Sequence, residues 1–65
     1  MTHEQAKAAE QAFRSLGYDV TAQQSRIARL GYELVGKAAD NDKPVYGFSP
    51  RDMQLLVASG QVARI

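Results

Sequence analysis

A chain of 65 residues without a single cysteine must fold with no covalent staple, and that is the tightest constraint on what it can become. A domain of this size buries only roughly 60% of the surface its unfolded chain exposes. Small scaffolds therefore lean on disulfides, a structural metal or a partner subunit. Lack of cysteine removes disulfides, thiolate zinc sites and cysteine nucleophiles together, which leaves oligomerisation as the expected support. Residues 1–65 read as one small domain, because they contain no interdomain linker, low-complexity tract or internal repeat.

A hydrophobic fraction of 45% is too high for a disordered chain, so a packed fold is expected. The formal net charge of +1 is too small to make the whole molecule a polyanion binder, and only a local basic patch argues for nucleic acid. The segment Met1–Lys7 has no apolar run behind a basic start, and no stretch approaches the ~20 apolar residues of a membrane span. Together with the missing cysteines, this gives the expectation of a cytoplasmic protein that does not engage membranes.

Local signals divide the chain into five elements. Thr2 and Gln5 have the spacing of a capping box, Ala6, Ala9, Phe13 and Leu16 follow on one helical stripe, and Gly17 stands where a glycine C-cap belongs. A first helix is expected over Thr2–Leu16. Thr21 and Gln24 repeat the capping spacing, and Ile27, Leu30, Leu34, Val35 and Ala38 form an amphipathic stripe, predicting a second helix over Thr21–Ala38. Gly31 and Gly36 interrupt that stripe at about 1 kcal/mol each, and close packing is the preferred reason for them.

The polar loop Asp40–Pro44 ends the helical pattern, and Val45–Phe48 reads as a short strand. Ser49 as N-cap, Pro50 at the first helical position and Asp52 in the first turn open a third helix to Ser59. Gly60 closes it, and Gln61–Ile65 can extend as a final strand. The expected fold is therefore a mainly α, small α+β domain of three helices and two short strands in the order α-α-β-α-β.

The inventory for catalysis is poor. His3 is the only histidine and lies at the terminus, where nothing fixes it as a general base. Asp40 and Asp42 lack the glycine and the distal glutamate of a calcium loop, and Ser15, Ser25, Ser49 and Ser59 have no local histidine partner. No enzymatic activity, cofactor, metal or small-molecule substrate is expected.

Two surfaces are candidates for binding. In the C-terminal half, Tyr46, Phe48, Leu55 and Val62 belong to an apolar surplus: Leu55, Leu56 and Val57 are consecutive, so one helix face cannot bury them all. Tyr18 and Tyr32 are further anchor candidates, each pairing an apolar ring with a polar tip. At the start of the expected second helix, Gln23, Gln24, Arg26 and Arg29, with Lys37 further on, offer groups suited to phosphates and base edges. Ile27–Gly31 looks like part of a helix-turn-helix. Placing Gly31 in its turn, however, sends Lys37 and Asp40 inward and breaks the apolar stripe, so no such motif is recognised. The leading expectation is a small non-enzymatic interaction or regulatory protein that binds another macromolecule, a protein partner or a second copy. The alternative is a compact nucleic-acid-binding regulator.

Overall fold

The computed structural model describes all residues 1–65. Helix α1 (His3–Ser15) is followed by strands β1 (Val20–Gln24), β2 (Tyr32–Lys37) and β3 (Pro44–Gly47) and by helix α2 (Pro50–Ala58). The terminal helices begin where their caps require. Thr2 Oγ1 accepts from Gln5 N–H at 3.1 Å while Gln5 Oε1 accepts from Thr2 N–H at 3.0 Å, a reciprocal capping box. Ser49 Oγ accepts from Asp52 N–H at 3.2 Å, with Pro50 at the first helical position where no amide hydrogen is needed.

Between the helices the expected architecture is overturned. Thr21–Ala38 is not a helix: it forms β1, a 3-10 turn over Ala28–Leu30 and β2, so the order is α-β-β-β-α and the domain is not mainly helical. The strands make one antiparallel sheet in the order β1-β2-β3. Val20 pairs with Gly36 and Gln24 with Tyr32 on one side of β2, and Leu34 pairs with Gly47 and Lys37 with Pro44 on the other. The helix-spaced stripe competes with a period-two pattern in Tyr32, Leu34, Gly36 and Ala38. In a tyrosine-, valine- and glycine-bearing segment that can find strand partners on both sides, the strand wins. Gly31 is a turn residue with φ 70°, a left-handed conformation that ends the 3-10 turn.

Register and parity put Val20, Ala22, Leu34, Gly36, Val45 and Gly47 on one sheet face. Both helices pack there: Ala9 and Phe13 from α1 and Met53 from α2 join Val20, Leu34 and Val62 in a single core. Gly36 provides the close approach expected of it, in a strand rather than a helix. A Cβ there would stand 3.1 Å from Val62 Cγ1 and 3.2 Å from Val45 Cγ2.

The segment Gln61–Ile65 does not form the expected final strand. It makes isolated antiparallel bridges, Val62 to Ala38 and Arg64 to Tyr18, and so wedges between the end of β2 and the turn after α1. Its backbone is held on both sides, with Ala63 N–H donating to Lys37 O at 2.7 Å and Asp19 N–H to Ala63 O at 2.9 Å. At the opposite end of the chain the Met1 ammonium donates to Leu30 O at 2.8 Å, and Tyr32 N–H donates to Met1 O at 2.8 Å. No helix is long and apolar enough to cross a membrane.

Candidate functional site

With both helices on one face of the sheet, the other face has no element over it. Alternation along the strands points Thr21 and Gln23 of β1, Glu33 and Val35 of β2 and Tyr46 of β3 toward this open side. Glu33 is the unusual member. It lies on the central strand, flanked by Gln23 on β1 and, one step past the Leu34–Gly47 pair, by Phe48. Although no layer covers the face, the residue is only 5% exposed. Gln23 Nε2 donates to Glu33 Oε2 at 2.7 Å, and no lysine or arginine lies within ion-pair distance of it.

Glu33 forms the floor of a groove of about 350 Å³, whose walls are Ser25, Arg26, Ile27, Tyr46 and Phe48. Tyr46 and Phe48 also border a second depression together with Leu55 and Leu56 of α2. The two grooves thus share Tyr46 and Phe48 as a common border, one on the open face and the other against α2. Along them Ile27, Tyr46, Phe48 and Leu55 keep 49%, 46%, 50% and 60% of their area exposed. Exposed apolar side chains scattered singly are ordinary, whereas a contiguous run rimmed by polar groups marks an interaction surface.

The structure brings together three of the four residues expected at a protein interface: Tyr46, Phe48 and Leu55. Val62 is corrected. It is 5% exposed and belongs to the core, because the C-terminal segment folds back against Gly36 and cannot present it to a partner. Tyr18 and Tyr32 are half-buried and engaged by contacts within the chain. The Arg64 guanidinium stacks 4.7 Å above the Tyr18 ring, and His3 meets Tyr32 edge to face at 4.9 Å.

The five residues of the nucleic-acid alternative do not share a helix face, because that helix does not form. Gln23 and Gln24 are on β1, Arg26 and Arg29 in the following loop and turn, and Lys37 at the far end of β2. Arg26 borders the Glu33 groove, whereas Arg29 borders a different depression beside Met1, Thr2 and Gln5. Lys37 lies near the acids Asp19 and Asp42. No basic stripe results.

Sequence reasoning missed Glu33 and Ile27. The alternation of Leu34, Gly36 and Ala38 was the available signal for Glu33, since it assigns Glu33 to the face opposite the core. Ile27 had none, because its place depends on how the loop after β1 folds back toward β3. No three histidine, aspartate or glutamate side chains converge in a metal-binding arrangement. Compared with known proteins, the chain matches no family model, no curated protein and no solved structure.

Proposed function

We propose that this protein is a small, non-enzymatic interaction module that acts by occupying a macromolecular surface with the open face of its sheet. The observation that carries this reading is the run of exposed apolar side chains that passes from Ile27, Tyr46 and Phe48 on the uncovered face to Leu55 of α2, which borders the same two aromatic rings. Its apolar centre and its polar margin of Gln23, Arg26 and Ser25 have the anatomy of a protein interface, where aromatic side chains supply most of the affinity and polar groups surround them.

The test compares the wild-type chain as bait in native lysate with a Tyr46→Ser, Leu55→Ser variant whose circular dichroism matches wild type. A protein or self-association retained by wild type and lost in the variant supports the reading. Equal retention by both places any binding elsewhere. Mixed-sequence duplex DNA, titrated at low and high salt and followed by fluorescence anisotropy, covers the competing class. Salt-sensitive binding that disappears in Arg26→Ala, Arg29→Ala would replace the proposal with a nucleic-acid one.

A further inference from the structure

The open face contains an acid, Glu33, and a base, Arg26, that make no ion pair within the chain. The molecule has two nearly enclosed carboxylates. Glu10 is 8% exposed and has Lys7 Nζ at 3.3 Å, whereas Glu33 is 5% exposed and has only the neutral amide of Gln23. Buried charges are normally paired, because an enclosed carboxylate loses hydration that one amide does not restore. The missing cation is on the same groove: Arg26 borders it, is exposed, and makes no ion pair. One patch thus carries an unmatched acid, an unmatched base and the apolar side chains Ile27, Tyr46 and Phe48.

Such a patch is complementary to itself, which is the requirement of a two-fold interface, where residue i of one copy meets residue j of the other and the reverse. Resting on the interaction-module reading above, we infer that the occupant of this groove is a second copy of the chain. In the dimer, Arg26 of each protomer enters the other's groove and pairs with Glu33, while Ile27, Tyr46 and Phe48 pack across the axis. An Arg26–Glu33 pair within one chain would neutralise the acid but leave the three apolar side chains in water. The dimer satisfies both. It also supplies the support that a short chain without disulfides otherwise lacks.

Sedimentation equilibrium from micromolar to millimolar concentration tests this with charge reversals. Wild type is expected to dimerise. Arg26→Glu faces the partner's Glu33 twice and is expected to weaken the dimer by at least about a hundredfold. Glu33→Lys is expected to fail alone in the same way, and an equimolar mixture of the two variants to associate, since both cross-pairs are then of opposite charge. If Glu33→Lys does not fold by circular dichroism, a double-mutant cycle with Arg26→Ala and Glu33→Gln replaces it, and additive effects on the dimer constant overturn the pairing. A dimer indifferent to Arg26→Glu overturns the interface. A chain monomeric at millimolar concentration overturns the dimer. In that case the bait comparison separates the two ideas: capture of another protein lost in Tyr46→Ser, Leu55→Ser leaves the interaction module standing, and no such capture removes both.

Discussion

At the scale of single residues, what matters most is what a side chain would displace. Gly47 on β3 is buried beneath the first turns of α2, where a Cβ would stand 2.9 Å from Met53 N and 3.1 Å from Met53 Cα. These are backbone atoms of a helix and cannot swing aside as the tip of a long side chain does. Gly47→Ala is therefore expected to destabilise the fold by about 1–3 kcal/mol, read as a lower urea midpoint with an unchanged slope. A loss of that size is substantial, since a chain of this length has a total stability of roughly 3–10 kcal/mol. Nothing near Gly47 in the sequence announces the contact, because Met53 approaches from a helix whose docking the local pattern does not specify. Glu33 poses the same problem. It is a polar residue between a tyrosine and a leucine, and its enclosure arises from Gln23, ten positions earlier, and from Phe48, fifteen later.

At the scale of elements, the capping grammar was reliable only where the following residues agreed with it. Thr2–Gln5 and Ser49–Pro50 open real helices because alanine-rich or well-patterned segments follow them. Thr21 and Gln24 have the same spacing as Thr2 and Gln5, yet both lie in β1. After them come Gly31, Tyr32, Val35 and Gly36, which gain little from a helix and pack well on a pleated surface. The central position of β2 has a measurable consequence. Its amides are bonded to strands on both sides, so Leu34–Gly36 should exchange hydrogen slowest in the molecule, with upfield Cα secondary shifts over Tyr32–Lys37. Downfield, helix-like shifts over that segment would contradict the sheet.

At the scale of the whole molecule, the termini close the structure from two directions. Met1 is tied to Leu30 and Tyr32, and the Gln61–Ile65 segment fills the gap between β2 and the turn after α1. This separates two apolar residues that the sequence presents as equivalent interface candidates. Val62→Ser opens the core and should lower stability by about 2 kcal/mol or more. Leu55→Ser, on the exposed surface, should leave thermal unfolding of the monomer within about 0.5 kcal/mol of wild type and act on association instead. Equal effects of the two substitutions on unfolding would place Leu55 in the core with Val62. Both terminal helices, the polar loop before β3, most of β3 and the apolar excess around Tyr46, Phe48 and Leu55 were legible along the chain, because caps, turns and surplus hydrophobicity are written in neighbouring residues. That Thr21–Ala38 is a hairpin, that Val62 turns inward and that Glu33 and Arg26 border one groove followed only from the folded packing. Strand pairing and burial depend on partners distant in the chain, and a segment whose apolar residues fit both periods takes the form that those partners complete.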